Sequence, residues 1–178
     1  MNKINVFFSL LFIVFLVACK ENIDKNDLAK EKIVFNENGI FDEKISLGSD
    51  YYENDDLILF NTYDNCMDYI YLDEKFGVNL KFYNGKLVYI RSDSNFVITD
   101  KGVSNGDSLD DFVKSYKGYF VEKERSEGSD THDDWIYSVY KNKMDVNIMK
   151  FNIIQGVVSG IYVMKRDFNG YDCINDSN

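Results

Sequence analysis

Alternating hydrophobic and polar positions along the chain predict several short strands, and the clearest of them form a hairpin. Residues 78–92, VNLKFYNGKLVYIRS, have apolar side chains at alternate positions on both sides of Asn84-Gly85. Because Asn-Gly readily adopts the positive φ angles of a type I′ turn, this segment predicts two strands joined by a two-residue loop. That loop also predicts which residues face each other across the hairpin: Leu87 opposite Phe82, and Tyr89 opposite Leu80.

The apolar residues between Asp107 and Gly118 have the spacing of a helix. They recur at i, i+3, i+4 and i+7, which predicts a helix with one stripe facing a core. The helix begins at Asp107 or Ser108, since either side chain can accept hydrogen bonds from the free amides of the first turn. Gly118 is a natural place for the helix to end. The stripe consists of Leu109, Phe112, Val113 and Tyr116.

Other runs rich in aromatic and β-branched residues predict further strands, which together define the expected fold class. Such strands and the helix favour an α+β fold, in which one or two helices pack on one face of an antiparallel sheet. The hydrophilic residues 122–134 are interpreted as a loop. Residues 57–60 form a short apolar run; the remaining predicted strands are 67–72, 96–99, 135–141, 146–154 and 157–166, and the last two are joined at Gln155-Gly156.

The two glycine-centred hairpins resemble each other closely enough to predict an internal repeat. Each unit would be a helix region followed by a strand meander, in tandem units spanning residues 40–98 and 99–166. The alternative is that two aromatic-rich hairpins look alike by chance. The matching positions are Leu80, Phe82, Leu87 and Ile90 around Gly85, and Phe151, Ile153, Val158 and Ile161 around Gly156; upstream, Ile45–Asp50 matches Val103–Ser108.

The N-terminal apolar run has the form of an export signal. Lys3 precedes the run from Val6 to Val17, and the small residue Ala18 follows. A basic start, a core of about 7–15 apolar residues and a small residue at the cleavage point are the marks of a secretory signal. A membrane-spanning helix needs about 20 apolar residues, so this run is too short for one.

Residues Leu16–Cys19 resemble the lipobox of bacterial lipoproteins. The resemblance implies that the Cys19 thiol receives a diacylglycerol, that the chain is cut just before it, and that acyl chains such as palmitate anchor the protein to a membrane. Residues 1–18 would then be the signal peptide, 19–32 a flexible charged tether and 33–178 a single globular domain. Two interpretations stay open beside this one: an uncleaved anchor helix, and an ordinary secretory signal with a chance cysteine.

The expected location is the cell envelope, with the outer membrane or the cell surface favoured over the inner membrane. In enteric-type lipoproteins an Asp directly after the lipidated Cys favours retention in the inner membrane, and this chain has Lys20 instead. The formal net charge of −10 argues against nucleic acid as a partner, because phosphates attract Lys and Arg. It argues equally against adsorption of the domain to anionic headgroups, so the lipid alone would hold the protein at the membrane.

Cys66 and Cys173 are the two thiols that remain once Cys19 is acylated. An even pair in an exported protein suggests a disulfide, which would tie the C-terminal tail to the first half of the domain. The alternative is two separate thiols, with Cys66 buried and Cys173 in a mobile tail. The sequence leaves this choice open, because the compartment is the one argument for pairing.

A second resemblance lies in residues 98–118, ITDKGVSNGDSLDDFVKSYKG. This segment is similar to a phrase in exported bacterial proteins of the SmpA/BamE and β-lactamase-inhibitor-protein kind, in which a Gly-rich turn with an acidic or hydroxyl cap opens a helix. The resemblance implies helices packed on one face of an antiparallel sheet and a protein that works by binding; it carries no catalytic residues across. The matching residues are Gly102, Val103, Gly106, Asp107, Leu109, Val113 and Tyr116.

No set of residues in the chain has the spacing of a catalytic or metal-binding site. His132 is the only histidine and lies in a hydrophilic loop among Asp130, Asp133 and Asp134, so exposure to solvent is the simpler interpretation. A zinc site would need more His or Cys, and no loop matches a known calcium spacing. We therefore predict neither a cofactor nor a metal.

The numerous aromatic residues supply the functional hypothesis. Exposed Tyr and Trp are good anchors for protein binding, although Tyr at half-buried strand positions is also ordinary. The candidate binding face consists of Tyr83, Tyr89, Trp135 and Tyr137. The main expectation is a lipid-anchored envelope protein whose domain binds an envelope or external protein without catalysis. The alternative is an enzyme, or an accessory to one, that acts on cell-wall or external polymers.

Overall fold

One eight-stranded antiparallel sheet forms most of the structure, which is a computed structural model. The structure describes residues 32–40, 45–53, 55–71, 76–126, 133–168 and Cys173, all within the compact unit Lys32–Asn178. The signal segment, Cys19, the tether up to residue 31 and His132 lie outside the described residues.

The elements in chain order are β1 (Ile33–Asn36), β2 (Gly39–Ile40), β3 (Leu57–Tyr63), β4 (Cys66–Tyr71), β5 (Val78–Tyr83), β6 (Lys86–Ser92), β7 (Val97–Thr99), α1 (Leu109–Ser115), β8 (Phe120–Arg125), β9 (Trp135–Tyr140), β10 (Asn147–Ile154) and β11 (Val157–Lys165). The main sheet has the order β3-β4-β5-β6-β11-β10-β9-β8, and a second, three-stranded sheet has the order β2-β1-β7. The main sheet therefore consists of two consecutive four-stranded meanders whose last strands, β6 and β11, pair in the middle.

The expected α+β class is wrong, because the described residues are 55% strand and 7% helical. The one α-helix among them is α1, which has seven residues. Where the repeat predicted a helix region in the first unit, Ser46 and Asp50 form isolated bridges to Gly39 and Lys86. Residues 122–125, expected in a loop, belong to β8, an edge strand on which charged side chains stay exposed to solvent.

The helix forms where its sequence predicts. Ser108, rather than Asp107, is the N-cap, and its Oγ accepts the Asp111 amide at 3.2 Å. The side chain of Asp107 caps the preceding turn instead, where it accepts the Ser104 amide at 2.7 Å. The core-facing stripe is narrower than expected, because Val113 is 56% exposed. Phe112 and Tyr116 are buried, with exposed fractions of 1% and 2%.

The predicted hairpin between β5 and β6 is confirmed. Asn84 and Gly85 form its two-residue loop with φ angles of 49° and 73°, both in the left-handed region. Leu87 faces Phe82 across the two strands, as the loop length predicts. Both side chains are buried, so this pair contributes to the core.

The same hairpin contains one error of predicted register. Tyr89 faces Lys81 rather than Leu80, because a β-bulge at Val88 puts an extra residue into β6. Since side chains alternate between the two faces of a strand, the bulge moves Tyr89 to the face away from the core. Ile90 takes the core position opposite Leu80.

The hairpin between β10 and β11 has the same construction. Its loop residues Gln155 and Gly156 have φ angles of 51° and 79°. Ser159 is the extra residue of a β-bulge in β11, as Val88 is in β6. The bulge moves Tyr162 to the face away from the core, just as the first bulge moves Tyr89.

The segments that precede the two hairpins are attached by corresponding backbone hydrogen bonds. These corresponding hydrogen bonds are consistent with the predicted repeat. The bounds of its two units, 40–98 and 99–166, stay a prediction. The corresponding pairs are Gly48 N–Leu87 O (2.7 Å) with Gly106 N–Val158 O (2.8 Å), Leu87 N–Ser49 O (2.9 Å) with Val158 N–Asp107 O (2.9 Å), and Tyr51 N–Gly85 O (2.7 Å) with Leu109 N–Gly156 O (2.8 Å).

The hydrophobic core lies between the main sheet and a layer made of α1 and the three-stranded sheet. Side chains from all three belong to one buried cluster. Large side chains with less than 2% exposure include Phe35 from β1, Phe112 from α1, and Leu80, Ile90, Phe151 and Ile161 from the main sheet.

A disulfide joins Cys66, the first residue of β4, to Cys173, with their Cα atoms 5.6 Å apart. The sequence left open whether these thiols are paired, and the structure has them paired. Because the two residues are 107 positions apart, the bridge closes a loop that contains most of the domain.

The left-handed loops of the two hairpins give a test of their equivalence. Gly85→Ala is expected to lower the free energy of unfolding by about 1 kcal/mol, because a Cβ at φ 73° is strained although nothing lies within 4 Å of it. Gly156→Ala, at φ 79°, should have a similar effect. Urea denaturation measures both variants, and a change of less than about 0.5 kcal/mol, typical of neutral surface substitutions, would contradict the left-handed assignment.

Candidate functional site

The main sheet has one face on the core and one exposed face, which we call the outer face. The strand register fixes its members, because residues directly opposite each other in antiparallel strands project to the same side. Pairing of Tyr89 with both Lys81 and Met164 places these three side chains on it together. The outer face also carries Asp68, Asn79, Tyr83, Arg91, Lys150, Asn152 and Tyr162.

The structure separates the four aromatic residues that the sequence suggested as a binding face. Tyr83 and Tyr89 lie on the outer face. Tyr137 lies on the core side, where it is 8% exposed and its ring centroid is 5.4 Å from that of Phe112. Trp135, two residues earlier in β9, packs against the same core. The four side chains therefore do not form one surface.

Five residues form a bonded group at the middle of the outer face, which we call the central cluster: Tyr89, Arg91, Asp93, Asn152 and Tyr162. The Arg91 guanidinium donates to Asp93 Oδ2 from Nη2 at 2.7 Å and from Nε at 3.1 Å. The same guanidinium lies 5.3 Å from the centroid of the Tyr162 ring. Asn152 donates to the Tyr162 hydroxyl, and the Tyr89 ring lies 5.8 Å from the Tyr162 ring.

Burial and hydrogen bonding set the protonation of this cluster. Burial raises the pKa of Tyr89 and of Tyr162, so both phenols remain protonated donors at neutral pH. Burial alone would lower the pKa of Arg91, but the hydrogen bonds to Asp93 and the electrostatic attraction of Tyr162, Tyr89 and Asp93 together outweigh this effect, and the pKa is raised. The cluster therefore combines two neutral phenols with a permanent cation and the carboxylate bound to it.

Gly160 in β11 makes room for this arrangement. A Cβ built at Gly160 would lie 2.8 Å from Asp93 Oδ1 and 3.2 Å from the Tyr162 hydroxyl oxygen. The first distance is shorter than any normal contact of a Cβ, so a larger residue here would displace the Asp93 carboxylate. Because Gly160 has no side chain, Asp93 and Tyr162 can approach each other on the outer face where β6 pairs with β11.

A hollow of about 510 Å³ adjoins the central cluster on the outer face. Phe60 and Phe168 line it, together with the polar side chains of β5 and β6. It also contains two carboxylates, and each is bound to a cation: Asp68 Oδ1 lies 3.0 Å from Lys81 Nζ, and Asp93 Oδ2 lies 2.7 Å from Arg91 Nη2. The hollow thus offers aromatic walls and fixed ion pairs to a bound group.

A larger cleft of about 840 Å³ lies at the end of the sheet, beside the β5–β6 loop and residues 143–146. Its cations are directed at neighbours within the protein rather than towards a common point. Lys86 binds Asp50 at 2.6 Å, and Arg166 donates to the Lys143 carbonyl. The smaller hollow, whose polar groups converge, is therefore the better candidate site.

The described part of the chain contains no group of three or more His, Cys, Asp or Glu side chains placed to hold a metal ion. In the same ranges, no helix has the length and apolar character needed to cross a membrane. His132, considered above as a catalytic histidine, lies outside the described residues.

Sequence reasoning identified Tyr89 but missed the other four residues of the central cluster. The spacing of Tyr89, Arg91 and Asp93 at i, i+2 and i+4 is a usable signal, because such residues share one face of an extended strand. The partners Asn152 and Tyr162 give no such signal, since their approach depends on the pairing of β6 with β11.

Comparison with known proteins gives no relative for this chain. No protein-family model matches it. No curated protein matches it, and no solved structure matches it.

Proposed function

We propose that this protein is a lipid-anchored component of the bacterial cell envelope that binds a partner protein through its outer face. The resemblance of Leu16–Cys19 to a lipobox supports the anchoring at Cys19. The observation that carries the binding role is the central cluster, a bonded group of Tyr, Arg, Asp and Asn on an exposed sheet face. The outer membrane or the cell surface is the proposed location.

The chemistry of the central cluster suits protein recognition. Tyr and Arg are enriched among the residues that dominate binding energy at protein interfaces. Here the ion pair and the Asn152–Tyr162 hydrogen bond hold the side chains of Arg91 and Tyr162 before a partner arrives. Side chains ordered in advance lose less conformational entropy on association, so more of the contact energy is available for binding.

The ion pairs favour binding over hydrolysis of a polymer. An acid–base mechanism with two carboxylates needs one protonated group and one group poised to act on water or substrate. In the hollow, Asp68 and Asp93 are each bound to a cation, Lys81 and Arg91. Such pairs can orient a bound group, so we place the enzyme hypothesis second.

Lipid attachment is tested by Cys19→Ser in cells grown with labelled palmitate. The expected result is loss of the label and release of the protein from the membrane fraction, because the thiol that carries the diacylglycerol is gone. Asn26→Ser, in the expected tether, is the control and should retain both the label and the membrane attachment. A Cys19→Ser protein that remains labelled and membrane-bound would overturn the anchoring proposal.

Binding through the outer face is tested by crosslinking in intact cells followed by pull-down of the full chain. The double variant Arg91→Ala/Asp93→Ala removes both members of the ion pair, so neither charge is left without its partner. The expected recovery of the partner falls by about tenfold or more, as for loss of an interface anchor.

The matched control is Asp100→Ala/Lys101→Ala, which removes a pair of similar length, 2.8 Å, from the turn after β7. It should recover the partner as well as the unmodified chain does. Equal recovery with the Arg91→Ala/Asp93→Ala chain, at an equal melting temperature, would show that the outer face is not the binding surface.

A further inference from the structure

The main sheet ends in two edge strands, β3 and β8, which differ in how they are protected. Four charged residues at 122–125 lie on β8, and charges on an edge oppose pairing with another strand. The sequence of β3, LILFNTY, contains neither a charged residue nor Pro. Ile58, Leu59 and Phe60 are 50%, 53% and 70% exposed. A β-bulge at Phe60 interrupts the regular pairing of β3 with β4, so the exposed apolar edge is a template for an added strand mainly at Leu57–Leu59.

Acidic residues flank this edge at both of its ends. Glu53 and Asp55 precede β3, and Asp64 follows it, and all three side chains are exposed. The Lys81 ammonium group lies beside the strand, with its Nζ 5.4 Å from the centroid of the Tyr63 ring. That ammonium group is already bound to a carboxylate of β4, so it does not offset the flanking charges.

A second copy of the same chain is a poor occupant for the edge. In an antiparallel pairing of two β3 strands, Asp55 and Asp56 at the start of one strand would approach Asp64 at the end of the other. Like charges placed directly opposite each other destabilise a strand pair. The net charge of −10 on each chain adds a general repulsion.

We propose that β3 binds an extended segment of a partner protein that has apolar side chains at alternate positions and Lys or Arg at both ends. Backbone hydrogen bonds along β3 provide affinity, and the exposed side chains of Ile58 and Phe60 contact the apolar positions. The Thr62 amide donates to Asn61 Oδ1 at 2.9 Å, which places the docking segment towards the N-terminal part of β3. The occupant's basic ends lie against Asp55 and Asp64. This edge does not include the central cluster, although Phe60 also lines the hollow that adjoins the cluster.

The test is a selection of random dodecapeptides displayed on phage, with the full chain immobilised in detergent. The expected result is enrichment of peptides that alternate apolar and polar residues and carry Lys or Arg at their ends. Binding of an enriched peptide, measured by fluorescence anisotropy, should weaken by about tenfold or more with Ile58→Lys, because a charge at this position opposes edge pairing. Val121→Lys, at a comparably exposed position on β8, is the matched control and should leave binding unchanged.

A charge reversal tests the role of the flanking residues separately from folding. Asp55→Lys/Asp64→Lys changes exposed residues only, and it should shift the selection towards peptides with Asp or Glu at their ends. Peptides enriched without alternation, or with unchanged ends after the reversal, would overturn the proposal. So would a dimer of the full chain in analytical ultracentrifugation that Ile58→Lys dissociates.

Ile58 is not among the residues that line the hollow, so Ile58→Lys separates this proposal from binding through the outer face. Arg91→Ala/Asp93→Ala should leave peptide binding to β3 unchanged, because those residues lie on β6 and just after it. Peptide binding that is lost in this variant, but kept in Ile58→Lys, would assign the peptides to the central cluster and overturn the edge proposal alone.

Discussion

Phe112→Ala is expected to lower the free energy of unfolding by about 3–5 kcal/mol, the range for removal of a large buried aromatic side chain. Phe112 is 1% exposed and is the side chain through which α1 meets the main sheet. Its ring centroid lies 4.8 Å from that of Phe151 and 5.4 Å from that of Tyr137. Alanine would leave a cavity between the helix and two strands, and the surrounding sheet can close it only in part.

The control for this experiment is the adjacent position on the same helix. Val113 is 56% exposed, so Val113→Ala should change stability by less than about 0.5 kcal/mol. Urea denaturation followed by circular dichroism measures both variants. Equal losses from the two substitutions would mean that the helix does not present Phe112 to the core.

Loss of the disulfide has the second large expected effect. Cys66→Ser/Cys173→Ser should lower the free energy of unfolding by about 4–5 kcal/mol in the loop-entropy model, because the bridge closes a loop with a sequence separation of 107. The unmodified chain under reducing conditions should lose a similar amount. The serine variant should unfold at the same urea concentration with and without reductant.

Gel mobility gives an independent check of the same bridge. The oxidised full chain should migrate faster than the reduced chain, and its Cys66 and Cys173 thiols should resist alkylation after unfolding. Equal mobility in both conditions, with both thiols alkylated, would show that the protein lacks the bridge.

Local signals in the sequence were sufficient for the elements that local interactions determine. The loop Asn84-Gly85 predicted a hairpin because its residues readily adopt the left-handed conformation that a type I′ turn requires. Ser108 was one of two predicted N-caps, and the capping hydrogen bond to the Asp111 amide decides between them. These features depend on residues within a few positions of each other, so the sequence alone can specify them.

The predicted fold class was wrong because the local sequence pattern does not indicate which segments pair as strands. The hydrophilic residues 122–125 look like a loop, yet they form an edge strand against β9. Apolar and polar residues do not alternate in this charged edge strand, since both of its faces are exposed. The segment before the first hairpin has a turn and bridges where a second helix was expected, and no helical stripe marks it.

The candidate site was beyond prediction because it depends on two β-bulges. Without the extra residue at Val88, alternation would direct Tyr89 and Arg91 to the core with Leu87. Without the extra residue at Ser159, alternation would direct Tyr162 to the core with Val158. The two bulges sit at equivalent places in the two meanders, and together they assemble the central cluster on the outer face.

Site-specific photocrosslinking in intact cells tests most directly the central claim, that the outer face binds a partner protein. Benzoylphenylalanine at Met164, beside Tyr89, is compared with the same group at Val113 on the exposed side of α1. We predict a light-dependent adduct from position 164 that disappears in the Arg91→Ala/Asp93→Ala background, and none from position 113. Adducts from position 113 but not from position 164 would contradict the claim.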